Sequence, residues 1–296
     1  MDLKKYLLCF LLMCLGCYAF AQVKDSTVFL KWKLKPGEVL GYKTEMREID
    51  TANHQDIDMS GMWRSIGGKD TSKMADLRKI MSKLNKEIQN FDMITQLTEK
   101  HKGVFTVEMM AINKDKAIPE IKAKNAQDSL KNIGKLLSML TTGVKLRGAV
   151  NEDGSIQSFY TKNDQRNLLS IFFELPAKKI KVGDTWALDV HLLSADEYFE
   201  CDSAYKRNQV TFVALENING EHIATLKYDI LEYMQGTFRM PMGEGAQQLM
   251  MRMSHQAVAR FSIEKGRWVF YEGVMSLSSS GMMKSQSTKK LSLVAN

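Results

Sequence analysis

Six sulfur- and nitrogen-bearing side chains crowd one short part of the sequence and are the first candidates for chemistry. They are Met240, Met242, Met250, Met251, Met253 and His255. Thioethers and imidazoles are ligands of Cu(I), but ordered copper sites tend to repeat a spacing, and this cluster contains only MxM and MMxM. Met is more often a flexible apolar residue of a core or a binding surface. We therefore expect adaptable apolar surface over 240–255, with a core or a copper site as the alternatives.

The histidines offer no local catalytic or metal-binding pattern. They are scattered at His54, His101, His191, His222 and His255. The chain also lacks a GxSxG elbow, a P-loop, a GxGxxG after a strand and an HExxH pair. Asp189 precedes His191 by two residues on one face of a predicted strand, and we interpret the two as a solvated surface pair. We predict a protein without catalytic residues, metal ligands or a cofactor.

The first 21 residues have the composition of a cleavable signal peptide. A basic tip at Lys4 and Lys5 precedes an apolar run over 6–16, and Ala19 and Ala21 then fit a cleavage site. The run is too short for a membrane anchor, because a spanning helix needs about 20 apolar residues. We predict cleavage between Ala21 and Gln22 and a mature chain, 22–296, that is periplasmic or secreted and has no transmembrane segment.

A second interpretation of the N-terminal segment uses Leu15-Gly16-Cys17, with Cys17 as the lipidated first residue of a bacterial lipoprotein. Cys14 stands where such a signal prefers an aliphatic residue, so we favour simple cleavage. Cleavage after Ala21 removes three of the four cysteines and leaves Cys201 alone, which excludes an intrachain disulfide. Since no His or Arg adjoins Cys201, we expect an inert thiol.

The formal net charge of +7 is spread over several segments in which acidic or apolar residues separate the basic ones. This distribution is typical of solvated faces and not of a nucleic-acid site, which would be unusual in an exported protein. We predict no nucleic-acid partner, and weak attraction to an anionic membrane surface stays open.

Alternating and hairpin patterns predict most of the secondary structure. Apolar residues alternate with lysines over 28–35, which predicts a strand from Thr27, and a second strand runs over 39–49 after the Pro36-Gly37 turn. Four further hairpins are predicted, one around Asn219-Gly220, the strongest hairpin dipeptide in the chain. Their strand pairs are 93–98 with 104–112, 144–150 with 156–160, 210–215 with 222–233, and 257–263 with 268–277.

Three helices are predicted between the strands. Apolar residues recur at intervals of three and four over 72–90 and again over 126–140, which is typical of amphipathic helices that lie on a sheet. A polar loop at 50–70 precedes the first of them, and a shorter helix at 163–173 ends before Pro176.

These elements predict an α+β, mainly β fold. We expect a large curved antiparallel sheet, arranged as a hairpin meander or a half-barrel, with two or three amphipathic helices packed on one face. No Ser/Gly tract or low-complexity block marks a linker, so 22–296 is treated as a single exported β-rich domain. A chain of this length buries enough surface to be stable without disulfides.

The segment 175–186, which reads LPAKKIKVGDTW, resembles a family of exported bacterial proteins of unknown function that is abundant in Bacteroidota. In that family a leucine-proline pair and a valine-glycine-aspartate-x-tryptophan segment precede a strand. The early segment at 35–38 and Tyr42 are similar as well. The resemblance covers most of the mature chain and implies export but no catalytic residues. More loosely, a curved sheet with helices on one face is similar to periplasmic lipoprotein carriers.

The residues of that segment also have a physical interpretation. Gly183 permits a tight turn, Asp184 can cap it, and Trp186 would fill the sheet. The sequence 35–38 echoes 181–184, and we interpret the echo as two similar turns that each start a strand.

The sequence is most consistent with a non-enzymatic cell-envelope protein. We expect it to bind an apolar ligand, such as a lipid or acyl chain, in a gap lined by Met, Leu and Phe, or else an envelope protein. The alternatives are a structural or protein-interaction module that exposes a sheet edge, and an enzyme whose site is assembled from distant residues. No ligand-binding residue can be named from the sequence.

Overall fold

The computed structural model describes residues 27–49, 91–113, 143–161, 166–193, 197–239, 246–281 and 284–295. The predicted signal peptide, the loop at 50–70, the long helices at 72–90 and 126–140, and Met240 and Met242 lie outside these residues. In the part of the chain that is described, no helix is long and apolar enough to cross a membrane.

Eleven strands and one helix make up the described structure. They are β1 (Val39–Glu48), β2 (Phe91–His101), β3 (Val104–Asn113), β4 (Gly143–Asn151), β5 (Ile156–Thr161), α1 (Arg166–Phe173), β6 (Thr185–Trp186), β7 (Phe199–Ile218), β8 (Glu221–Arg239), β9 (Ala246–Ser262), β10 (Arg267–Gly281) and β11 (Ser285–Ala295). The predicted short helix is present as α1.

The strands form one open antiparallel sheet in the order β5-β4-β3-β2-β1-β11-β10-β9-β8-β7-β6. Sequence neighbours pair from β1 to β5 and from β6 to β11, whereas β5 and β6 lie at opposite edges of the sheet. At the centre β1 pairs with β11, and Tyr42 lies opposite Ala295. Two meanders, β1 to β5 and β6 to β11, are thereby joined into a single sheet. The prediction of a mainly β fold built on a large antiparallel sheet is confirmed.

All four predicted hairpins are present, and several strands are longer than predicted. β7, β8, β9 and β10 contain 20, 19, 17 and 15 residues. In the β7–β8 turn, Asn219 and Gly220 both have positive φ, 55° and 84°. A type I′ turn requires this conformation at both central residues, which explains why Asn-Gly marks the turn.

The predicted first strand is wrong, because residues 27–38 belong to no strand of the sheet and form only an isolated bridge between Val28 and Ile180. Their backbone bonds instead to a loop residue and to two hairpin turns. The donor–acceptor pairs are Val28 N and Ile180 O at 2.8 Å, Trp32 N and Glu152 O at 2.7 Å, and Lys33 N and Gly266 O at 3.1 Å. The alternation was right about burial, since Leu30 and Trp32 are buried. We call 27–38 the crossing segment.

The turns at 35–38 and 181–184 share one geometry, as their sequence echo predicts. In each, the third residue is a glycine with positive φ, 78° at Gly37 and 97° at Gly183. The acidic fourth residue accepts a hydrogen bond from the backbone N–H of the first, at 2.8 Å and 2.9 Å. β1 and β6 follow directly, so this part of the LPAKKIKVGDTW segment has an architectural role.

The long strands separate an inner, buried face from an outer, polar face. On β9, Ala257, Ala259 and Phe261 are buried, whereas Val258 and Arg260 between them are exposed. The outer face carries ion pairs, with 2.9 Å between Arg207 Nε and Asp229 Oδ2 and 2.8 Å between Lys290 Nζ and Glu272 Oε2. Ion pairs of this kind are typical of a solvent-exposed face and contribute little to stability.

Aromatic side chains fill one end of the inner face beneath α1. The Trp32 ring lies 5.4 Å from Phe261 and 5.9 Å from Trp268, nearly perpendicular to both. Trp32 Nε1 donates to Phe173 O at 2.9 Å, and Trp268 Nε1 donates to Phe172 O at 2.6 Å. Because the last carbonyls of a helix lack intrahelical partners, the two tryptophans cap α1 as they pack. We call this region the aromatic half; it comprises Trp32, Phe172, Phe173, Phe261, Trp268 and Tyr271.

Candidate functional site

At the other end of the inner face, methionines take the place of the aromatic residues. Met234 on β8 lies opposite Met251 on β9, and Met275 on β10 lies opposite His255 on β9. Met253 shares their face, because alternate residues of a strand point the same way. We define the methionine patch as Met234, Met251, Met253, Met275 and Leu277.

The methionine patch is half-buried, whereas the aromatic half is closed. Trp268 and Tyr271 are 2% and 1% exposed, but Leu277, farther along the same strand, is 38% exposed. The four methionines have intermediate exposure. Because Met has three rotatable bonds and a polarisable sulfur, such a surface can adjust to what it contacts.

Only part of the methionine cluster in the sequence belongs to this patch. Met251 and Met253 lie on the inner face with His255, whereas Met250 points to the outer face. Met234 and Met275 were missed by sequence reasoning because they come from other strands. The signal that could have found them is hairpin register, which places Met275 opposite His255 once the β9–β10 turn is fixed.

His255 lies at the boundary between the two halves and is fully buried. Its Nε2 and the Tyr271 hydroxyl form a hydrogen bond of 2.7 Å, and the two rings are within 10° of parallel. The imidazole fits because position 273 is glycine, where a Cβ would lie 2.9 Å from His255 Cε1. The other ring nitrogen, Nδ1, is buried and has no hydrogen-bond partner among the described residues. Since buried polar atoms are normally paired, this atom marks a candidate site.

Burial keeps the His255–Tyr271 pair uncharged near neutral pH. It lowers the pKa of His255 to about 4 and raises the pKa of Tyr271 well above its ordinary value of 10. The ring of Tyr228 lies 5.6 Å from that of Tyr271, and burial raises the pKa of Tyr228 as well. A general acid or base works best when its pKa lies near the working pH. These groups are therefore better suited to hydrogen bonding or ligation than to proton transfer.

An ion pair between the exposed Lys206 and the buried Glu232 borders the methionine patch on the β7 side. Glu232 on β8 lies opposite Met253 and Lys206. Its Oε1 is 2.9 Å from Lys206 Nζ, and its Oε2 accepts a hydrogen bond of 2.8 Å from the backbone N–H of Leu193. Lys206 also donates to the carbonyl of Val190. Because each charge has its partner, as buried charges require, the pair holds the segment 187–193 in place.

Side chains, not a neighbouring strand, satisfy much of the backbone of 187–193. The Asn208 side chain accepts a hydrogen bond from the backbone N–H of Leu188 at 3.1 Å and donates one to its carbonyl at 2.6 Å. Asn167 does the same for His191, at 2.8 Å and 2.6 Å. Ser170 Oγ donates to the carbonyl of the residue between them, Asp189, at 2.9 Å. The polar residues of α1 and β7 near the site therefore have structural roles.

His191 and Asp189 form the exposed surface pair that the sequence predicts, with 3.7 Å between Nε2 and Oδ1. They do not lie in a strand, however, because the strand there ends with β6 and asparagine side chains bond the backbone beyond it. His222 Nδ1 lies 2.7 Å from Glu264 Oε1 at the surface. Among the described residues, no three His, Cys, Asp or Glu side chains are grouped to hold a metal ion.

β7 presents a long sheet edge that is protected from further pairing. β6 pairs with only two of its 20 residues. Charged Glu200 and Asp202 are exposed on this edge, and bulges interrupt the ladder at Cys201/Ser203 and Phe212/Ala214. Charges and bulges are the usual devices against edge-to-edge association. Cys201 is exposed with a free thiol, and its Sγ lies 3.4 Å from the carbonyl of Ser203.

Comparisons with known proteins give no further guide to function. No protein-family model matches the chain, and no curated protein or solved structure does so either. The family resemblance of 175–186 stays a prediction, and function has to be argued from the inner face of the sheet.

Proposed function

We propose that this chain is an exported, non-enzymatic protein of the cell envelope that holds an apolar ligand, such as an acyl chain, on its methionine patch. The observation that carries the proposal is the division of one inner face into a closed aromatic half and a half-buried methionine half. Ligand sites are typically apolar surfaces with a few placed polar groups at their border.

The free energy expected from burying methylene groups supports an acyl chain as the ligand. Each methylene group that leaves water contributes about 0.8 kcal/mol. Ten such groups would contribute about 8 kcal/mol, the scale of micromolar affinity before the entropic cost of association is subtracted. The methionine patch spans β8, β9 and β10, with one residue on β8 and two on each of β9 and β10, which gives such a chain a continuous apolar contact.

The polar groups around the patch favour an uncharged or apolar ligand. His255 is neutral near pH 7, since burial lowers its pKa to about 4. The Glu232 carboxylate is engaged by Lys206 and by the backbone of Leu193. A fully charged ligand group placed here would therefore lose its water without gaining an unpaired opposite charge.

The non-enzymatic part of the proposal rests on the same groups. The buried His255 and Tyr271 have pKa values far from neutral on opposite sides, so neither exchanges protons readily at pH 7. The two other described histidines with an acidic partner, His191 beside Asp189 and His222 beside Glu264, lie on the surface.

Titration of the full mature chain with a dansyl-labelled fatty acid tests the proposal. We expect saturable fluorescence enhancement that unlabelled palmitate displaces. Leu277→Gln should weaken binding at least tenfold, because it places an amide in the middle of the patch. The matched control is Val274→Gln, which changes a similarly exposed residue on the outer face of the same strand and should leave affinity unchanged.

Two results would count against the proposal. One is the absence of any probe uptake by the folded protein. The other is a clean apo mass in native mass spectrometry of protein taken directly from its native periplasm. Equal losses for Leu277→Gln and Val274→Gln would show that the probe binds elsewhere.

A further inference from the structure

The register of the sheet places two thioethers beside His255 and two more one alternate residue farther along the strands. Met275 lies directly opposite His255, and Met251 lies directly opposite Met234. Residues opposite each other on neighbouring strands have Cβ atoms about 5 Å apart, and alternate residues of one strand are about 7 Å apart. Met253 stands between the two pairs. The flexible side chains of Met253 and Met275 can therefore reach a shared point beside His255, whereas Met234 and Met251 lie about 13 Å from it along the strands.

The buried imidazole has one ring nitrogen, Nδ1, to which no described residue bonds. A Cβ at position 273 would lie 2.9 Å from His255 Cε1, so the ring lies against β10. Met275 lies directly opposite His255 on that strand. With the proton on Nε2, the Nε2–H donates to the Tyr271 oxygen at 2.7 Å and the Nδ1 lone pair is left free. Metal-binding histidines are typically oriented in this way by a bond from the second nitrogen.

We propose that His255 Nδ1 and the thioethers of Met253 and Met275 bind a single Cu(I) ion, with Ag(I) as its redox-inert substitute. This inference goes beyond the apolar ligand, since it assigns a metal to the boundary end of the patch. Thioether and imidazole ligands select Cu(I) over Zn²⁺, Mg²⁺ and Ca²⁺, which prefer thiolate, carboxylate or carbonyl ligands.

The surroundings suit a soft monovalent ion. The imidazole is neutral across the physiological range, because burial lowers the pKa of His255 to about 4. The nearest carboxylate on the inner face, Glu232, is held by Lys206. The site therefore offers neutral ligands only, which is the ligand set that favours the lower charge of Cu(I).

Competition with bicinchoninate for Cu(I) under anaerobic conditions tests the site in the full mature chain. We expect one equivalent of Cu(I) per chain, and the double variant Met253→Leu/Met275→Leu should weaken binding at least tenfold. Leucine conserves the size and apolar character of methionine, so folding should be retained. Met250→Leu is the matched control, because it removes a sulfur from the outer face of the same strand.

His255→Gln provides a second test that does not depend on the methionines. Glutamine keeps a hydrogen bond within reach of Tyr271 but removes the imidazole, and it should also weaken Cu(I) binding at least tenfold while circular dichroism remains unchanged. Titration with Ag(I), followed through the methyl signals of 13C-labelled methionine, should shift the signals of the patch and leave that of Met250 in place.

The proposal is overturned if the folded protein takes up no Cu(I), or if Met250→Leu weakens binding as much as the double variant does. It is also overturned if the double variant binds Cu(I) normally. These outcomes are independent of the apolar ligand, because Met253→Leu/Met275→Leu removes sulfur but keeps an apolar patch. Fatty-acid binding should therefore persist where Cu(I) binding is lost.

Discussion

The aromatic half and the methionine half of the inner face are built on the same strands from different side chains. β10 carries Trp268 and Tyr271 at one end and Met275 and Leu277 at the other. The aromatic rings are fixed by edge-to-face contacts and by indole N–H bonds to the end of α1. The methionines are half-buried instead, and Met275 packs against the edge of the core.

Strand alternation and side-chain type therefore specify separate properties of the sheet. Alternation decides which residues face inward, and it does so in both halves. The type of the inward residue then decides whether that face becomes a rigid core or an adaptable surface. We infer that the aromatic half supplies most of the stability, whereas the methionine half is free to bind, in keeping with the rule that binding regions come from the less stable parts of a fold.

Truncating one side chain in each half should give the largest difference in the free energy of unfolding. Trp268→Ala removes a buried ring that contacts Trp32, Phe261 and Tyr271, and it should lower the free energy of unfolding by about 3–5 kcal/mol. Met253→Ala removes a half-buried side chain, and we expect a loss of about 1 kcal/mol. Urea denaturation measures both. Equal losses would mean that the methionine half is as much a core as the aromatic half.

The boundary between the halves should be visible as acid sensitivity. Burial lowers the pKa of His255 from 6.5 to about 4, so the folded state binds its proton less readily than the unfolded state does. The contribution of His255 to the free energy of unfolding is therefore fully present above about pH 6.5. It is lost as the pH drops toward 4, by roughly 3 kcal/mol in total. In His255→Gln, the urea midpoint should depend less on pH between pH 6.5 and 4.5 than it does in the parent protein. A slope unchanged by this variant would show that another group titrates there.

Much of the fold is local and could be predicted from the sequence. The hairpins around Asn219-Gly220 and Gly266 are specified by a few neighbouring residues, as is α1. The pairing of β1 with β11 depends on residues that are far apart in the chain, and no local pattern encodes it. The strand predicted for the crossing segment was wrong for a related reason. An alternating pattern indicates which side chains are buried, but it does not indicate which backbone groups bond to each other.

The candidate site was predictable only in part. The alternation of Met251, Met253 and His255 already places them on one face of a strand. The opposing Met234 and Met275 require the register of two hairpins, which a single sequence does not provide. The space for the imidazole depends on Gly273 in another strand, and the unpaired Nδ1 is visible only once burial is known.

The smallest expected effect comes from the turn that ends the crossing segment over the aromatic half. Glu38 accepts a bond from the backbone N–H of Lys35, and its Oε1 lies 2.8 Å from Arg267 Nη2. The backbone bond from Lys35, followed by the Arg267 contact, holds the pKa of Glu38 below its usual 4.5. This carboxylate therefore stabilises the fold above about pH 4.5, and its contribution is lost as the pH falls through the lowered pKa.

Glu38→Gln should reduce the free energy of unfolding at pH 7 by less than about 1 kcal/mol, because exposed ion pairs contribute little. The deficit relative to the parent protein should shrink toward zero below the pKa, whereas the His255→Gln difference develops at higher pH. Urea midpoints of both variants, taken at the same series of pH values, separate the two windows. Affinity for the fatty-acid probe should not change in Glu38→Gln, since the turn lies at the far end of the inner face. A loss of ligand binding in this variant would mean that the two halves are coupled, contrary to the division of roles argued from their packing.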